Sequence, residues 1–259
     1  MRCLLTSIDV SHELRTPLTL ILGPVRELLR SKFAANSGVR QQLGVVQRNA
    51  DRLLRLVNTI MDFATAEAGR LTATFRPTYL GPFTTDLAGI FRSAAERGGL
   101  QYDVDSTGIP PGVIAWIDRD KYEKIVYNVL SNALKYTLAG SISVSMHLDA
   151  RTARFVLEVR DTGVGIPSEE LGSVFEKFHR VSSTQGRSIE GTGIGLSYTR
   201  ELVKIHGGDI TVESQLGVGS IFRVLIPLGR DHLPSDSVVD DIPASEWTVH
   251  DSTGSWVSA

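Results

Sequence analysis

Cysteine is almost absent from this chain. Of 259 residues only Cys3 is one, so no internal disulfide can form, and a lone thiol carries little catalytic meaning. A reducing, cytoplasmic setting is the expectation. Long apolar runs are missing too. Nothing approaches the roughly 20 residues that a membrane span requires, and MRCLLTSIDV meets Asp9 too soon for a signal peptide. Lys and Arg do not gather in runs, and the formal net charge is −2, which excludes the usual footprint of a nucleic-acid binder. What remains is a soluble chain with room for one large domain or two modest ones.

The patterned sequence begins with VSHELRTPLTL (10–20). From Ile8 to about Lys32 apolar residues recur at helical spacing: Leu14, Leu18, Ile21, Leu22, Val25, Leu28 and Leu29. Pro17 interrupts this helix one turn after Glu13, whose carbonyl it displaces at a cost of roughly 3 kcal/mol in a helix interior. A bend so close to His12 gives that histidine a special place. After the break AANSG (34–38) a second helical stripe runs from Val39 to Ala64, with Gly69 as a stop. Two long helices joined by a short loop form an antiparallel hairpin. One hairpin buries its stripes poorly, so pairing with a second copy into a four-helix bundle is expected.

Beyond Arg70 the texture changes. LTATF (71–75), QYDVD (101–105), VIAWI (113–117), SISVSMHL (141–148), ARFVLEV (153–159), DITVES and SIFRVLI read as strands. Helical segments are expected at about Phe83–Arg97, Arg119–Tyr136 and Gly193–His206. The fold class this implies is a helical hairpin followed by an α+β sandwich, with helices on one face of a mixed, mainly antiparallel sheet. Three segments follow: 1–68 as the hairpin, 69–228 as the sandwich and 229–259 as a tail. The tail holds six acids against one arginine, a composition that points to disorder. Trp247 and Trp256 fit that reading badly and suggest a linker.

Two glycine clusters stand out, DTGVGIP (161–167) and EGTGIGL (190–196). The first follows a strand and opens on Asp161; the second precedes a helix, whose free N–H groups suit phosphate. Neither a GK[ST] loop nor a dinucleotide fingerprint after the first strand is present, so phosphates must be held another way. The segment between the clusters carries Phe175 and Phe178 with Lys177, Arg180 and Arg187, as a lid with cations would. In NVLSNALKYT (128–137), Asn128 and Asn132 are four residues apart and Lys135 three further, on related faces of one helix. Amide oxygens are hard ligands suited to Mg²⁺, although the same residues also make an ordinary solvated face.

Together these segments resemble, in order and spacing, the H, N, G1, F and G2 boxes of sensor histidine kinases, over residues 7 to 228. The resemblance implies a dimerisation and histidine-phosphotransfer hairpin followed by a Bergerat-type ATP-binding domain. His12 matches the phosphoacceptor, Glu13 its proton acceptor or tautomer holder, and Thr16 a position that orients water for dephosphorylation of the partner. Pro17 then looks like a bend that repositions His12. Asn132 matches the Mg²⁺ ligand; Asn128 and Lys135 lie near metal and phosphates, and Tyr136 packs by the adenine. Asp161 matches the acceptor for the adenine amino group. Gly163 and Gly165 admit the backbone close to the nucleotide, while Gly191, Gly193 and Gly195 give the lid its hinge and the next helix its start. Ser220 stands where threonine is usual. Lys177, Arg180 and Arg187 match lid cations facing the transferring phosphoryl group.

The implied activity is ATP-dependent autophosphorylation on His12 and transfer to an aspartate of a response regulator receiver domain, by a homodimer using ATP and Mg²⁺. A net phosphatase using Glu13 and Thr16 keeps the same fold. A nucleotide-binding scaffold would lack His12, Asn132 or Asp161, and a gyrase-like ATPase would lack the hairpin. Only eleven residues precede His12, and the acidic tail resembles the linker of hybrid kinases, so the core of a larger, membrane-anchored or hybrid parent is expected.

Overall fold

The structure, a computed structural model, describes residues 21–30, 37–67, 71–181 and 193–239. Residues 21–30 form helix α1 and Ser37–Glu67 helix α2. Leu22, Val25 and Ala50 are buried in this hairpin. Ile21, Leu28, Val45, Val46 and Leu53 stay exposed, the second stripe that a single hairpin cannot cover. His12, Glu13, Thr16 and Pro17 lie outside the described residues, as do Arg187 and Gly191.

The remaining chain orders as β1 (Arg76–Tyr79), α3 (Leu80–Gly89), α4 (Arg92–Arg97), β2 (Gln101–Gly108), β3 (Ile114–Ile117) and α5 (Arg119–Tyr136). Then follow β4 (Ser141–Asp149), β5 (Arg154–Asp161), α6 (Gly195–Ile205), β6 (Asp209–Gln215) and β7 (Gly219–Pro227). Five strands form one sheet in the order β2-β4-β5-β7-β6, antiparallel except for β2 against β4. β1 and β3 make a separate antiparallel pair.

Period-two alternation decides which face is covered. Ile142, Val144 and Met146, then Phe155, Leu157 and Val159, then Phe222, Val224 and Ile226 all point to one side and are buried. Helix α5 lays Tyr122, Ile125, Val126, Val129, Leu130 and Ala133 into the same core. The opposite face is polar, where Arg223 bridges Glu158 (2.7 Å) and Glu213 (2.6 Å) across three strands. This one-sided layering is the sandwich read from the sequence.

Helix α5 starts where its cap dictates. Asp118 accepts the Lys121 backbone N–H at 3.1 Å and the Thr74 N–H at 3.0 Å. His206, fully buried at the end of α6, accepts the Asp118 N–H on Nε2 (3.1 Å) and meets the Leu202 carbonyl through Nδ1 (2.7 Å). Nδ1 therefore carries the proton. Burial, the largest influence, holds His206 below the usual imidazole range.

Three expectations are corrected. LTATF is not a strand: β1 begins at Arg76 because β3 offers partners only for residues 76–79, and Thr74 and Phe75 bond elsewhere. The helix expected over 83–97 is two helices broken at Ile90 and Phe91. The chain from Gly229 to Val239 is not a disordered tail. Leu233 is 8% exposed, Arg230 lies over the Trp116 ring, and the His232 ring meets the His206 carbonyl at 3.0 Å. Phe75 N–H donates to Ser237 (2.8 Å) and Val239 N–H to Phe75 (2.9 Å). One apolar residue and a strand edge suffice to order what composition marks as disordered.

Candidate functional site

The site gathers between α5, the turn after β5 and the start of α6. Asp161 ends β5 beside Ser220 of β7 and is 6% exposed. Its Oδ1 accepts the Gly163 N–H at 2.8 Å. Burial pushes its carboxyl above the ordinary carboxylate range, against the pull of the Gly163 and Ser220 backbone N–H groups. Asp161 is thus a nearly buried carboxyl held by backbone N–H groups at the start of the glycine turn.

The turn after Asp161 is held from two sides. Val164 N–H bonds the Tyr136 carbonyl at the end of α5 (3.1 Å), and Gly217 N–H bonds Val164 (2.8 Å). Gly165 adopts φ +68°, and a Cβ there would strike the Gln215 carbonyl, so only glycine fits. Ser214, which nothing in the sequence singled out, accepts the Ile166 N–H (2.8 Å) and touches Ser220 Oγ at 2.9 Å. It fixes the loop and the Ser220 hydroxyl together.

From α5, Asn128 reaches α6, where its Nδ2 donates to Thr199 Oγ1 at 2.6 Å. Asn132, one turn on, is half-buried and has no hydrogen-bond partner among the described residues. Lys135 Nζ sits 4.8 Å from the centre of the Tyr136 ring. Asn128 thus reaches α6, and the Tyr136 carbonyl reaches the turn after Asp161. Thr199, the clamp on Asn128, was legible only as a helical threonine.

The lid residues divide. Phe175 is buried, with Arg200 stacked 5.8 Å over its ring. Phe178 is 68% exposed with φ +60°, an uncommon backbone for an aromatic residue. Lys177 and Arg180 are exposed. Gly193 has φ +70°, and a Cβ on it would run into the Phe178 backbone. Gly193 thus lies against the Phe178 backbone.

A helix-backed, mainly antiparallel sheet with a buried carboxylate between glycine turns defines a class of ATP-binding domain, and the comparisons agree. Residues 117–230 match the family described as histidine kinase-, DNA gyrase B- and HSP90-like ATPase. Residues 8–69 match the His Kinase A (phospho-acceptor) domain. Hairpin first and ATP-binding domain second, the chain belongs to the histidine kinases, as their catalytic core. The sensor histidine kinase TmoS of Ectopseudomonas mendocina is 37% identical over 220 residues, 85% of this chain and 22% of that protein. Hybrid signal transduction histidine kinase D of Dictyostelium discoideum is 36% identical over 239 residues, 90% of this chain and 15% of that protein. Full-length ShkA, crystallised in complex with AMPPNP, is similar with a TM-score of 0.75 and 26% identity, over 86% of this chain and 46% of that one. The chain thus spans about a fifth of the length of these curated relatives.

Proposed function

We propose that this chain phosphorylates itself on His12 from ATP and passes the phosphoryl group to an aspartate of a response regulator receiver domain. The observation that carries the reading is Asp161: a nearly buried carboxylate at the start of the glycine turn, with Oδ1 bonded to the Gly163 N–H. An adenine amino group, a neutral donor of fixed geometry, suits such an acceptor. Tyr136 flanks it, and the start of α6 offers unpaired N–H groups for phosphate.

The residues present fit a divalent cation. Asn132 and Asn128 supply amide oxygens, and Mg²⁺ takes few protein ligands beside phosphate and water. When bound, it would neutralise charge on the transferring phosphates. By the resemblance, Lys135, Lys177, Arg180 and Arg187 are the cations that would face that charge. One imidazole nitrogen of His12 bonds to the γ-phosphorus, the bond to the ADP oxygen breaks, and the proton on the other nitrogen passes to or is shared with Glu13.

The exposed apolar stripe on α1 and α2 supports a homodimer through the hairpin. Among the described residues no helix is long and apolar enough to cross a membrane. Incubation with γ-labelled ATP and Mg²⁺ tests the proposal: label lost in acid but stable in alkali, and absent from His12→Gln, is expected. Undiminished label in that variant overturns the assignment.

A further inference from the structure

Asn128 can present either end of its amide to the cleft, and the hydrogen-bond pattern around Thr199 settles which. The Thr199 hydroxyl has one proton. That proton is spent on the Gly195 carbonyl, one turn back on α6, at 2.9 Å. Toward Asn128 the hydroxyl oxygen can therefore only accept. At 2.6 Å it takes Nδ2–H, so the amide is oriented by the network around it.

The other end of the amide follows. Asn128 Oδ1 accepts no hydrogen bond among the described residues and lies against Gly195. A Cβ at Gly195 would come within 2.7 Å of Oδ1 and 3.0 Å of Nδ2. Gly195 lacks the positive φ of Gly193, so its want of a side chain is explained by this approach rather than by backbone freedom. Gly195 also opens α6, where the N–H groups that suit phosphate are found. An uncommitted hard oxygen thus stands beside a helix start, one turn from the uncommitted amide of Asn132.

We infer that Thr199 is a positioning residue that locks the Asn128 amide with Oδ1 toward the metal and phosphates. This rests on the nucleotide-binding reading of the site. With valine at 199 nothing accepts Nδ2–H, the amide is free to turn over, and half of its orientations present N–H groups to a cation. Serine keeps the hydroxyl and the lock. The residue acts through Asn128 and touches no ligand itself.

The test is calorimetric binding of AMPPNP to the full chain at a series of Mg²⁺ concentrations and in EDTA. Thr199→Val should raise the Mg²⁺ concentration for half-maximal binding about tenfold, the scale for losing a partner that orients a metal ligand. Affinity in EDTA should stay within twofold, and Thr199→Ser should restore the Mg²⁺ dependence. In an Asn128→Ala background Thr199→Val should add nothing. The Asn128 side-chain ¹⁵N resonances of the protein without nucleotide give a second readout and should shift in the valine variant alone. An unchanged Mg²⁺ dependence in Thr199→Val overturns the inference, as does an equal loss in EDTA or a serine variant as poor as valine. If the unaltered protein binds AMPPNP with no Mg²⁺ dependence, the metal reading of the site falls along with it.

Discussion

Replacing Asp161 by asparagine separates what this residue does for the fold from what it does for the ligand. The side chain is 6% exposed, and burial disfavours its charge. Asparagine keeps an oxygen for the Gly163 N–H, now 2.8 Å from Oδ1, and removes the charge. Its other end becomes an NH₂ group, which under the proposed reading would meet the adenine amino group donor to donor. Losing a hydrogen bond to a charged acceptor costs about 1.5–3 kcal/mol, or roughly 10- to 150-fold in ATP affinity. Fold stability at pH 7 should hold or rise. The sign follows from the raised carboxyl pKa. The folded protein binds this proton more tightly than the unfolded chain, so the contribution is present at acid pH and is lost as pH rises through the folded value. Fluorescent-nucleotide binding and urea melts at pH 5 to 8 read both quantities. Wild-type affinity should fall as the carboxyl takes up its proton, above the usual carboxylate range, and the variant should be flat. An asparagine variant that binds ATP as the wild type does, or that unfolds several kcal/mol earlier, refutes the reasoning.

Gly165→Ala forces a left-handed alanine, costing about 1–2 kcal/mol, and drives its Cβ into the Gln215 backbone; a loss of at least 2 kcal/mol in urea melts is expected. Asp118→Ala removes the cap of α5 and the acceptor for Thr74, with about 1–2 kcal/mol lost and faster amide exchange at Lys121. Burial alone would raise the Asp118 carboxyl, but Lys121 and the Thr74 N–H outweigh it and set the group low. Its stabilisation is therefore present above the unfolded value and lost as pH falls through the folded one, so wild-type acid melts should be steeper than those of Asp118→Ala. Tyr122→Phe breaks the buried 2.8 Å contact with Thr84, and because Thr84 keeps its bond to Leu80 the cost should stay near 1 kcal/mol.

Much of the ATP-binding domain could be read ahead of the structure because its elements carry local signals. Helix α5 begins and ends where expected, since Asp118 is a cap and Thr137 leaves the helix. Strands β4 and β7 alternate in burial over most of their length, whereas β5 buries Phe155, Val156 and Leu157 in succession. Pairing could not be read ahead. Nothing in QYDVD tells that β2 joins β4 in parallel, and nothing in LTATF tells that its alternation goes unpaired while Pro77 two residues on sits in a strand. The site shows the same division. Asp161, Asn128 and Asn132 are singled out by the resemblance of their segments to the kinase boxes, in order along the chain. Thr199 and Ser214 matter only through what they touch, and touch depends on tertiary placement. The ordered stretch to Val239 was hidden for that reason too, because one buried Leu233 is invisible among the acids around it.

That stretch has a geometric consequence. Phe75, soon after α2 in the chain, is hydrogen-bonded on both sides by Ser237 and Val239, so the chain arrives at and departs from the ATP-binding domain at the same point. Entry and exit are held side by side by the same pair of backbone bonds, so a local opening that frees Phe75 also frees residues 237–239.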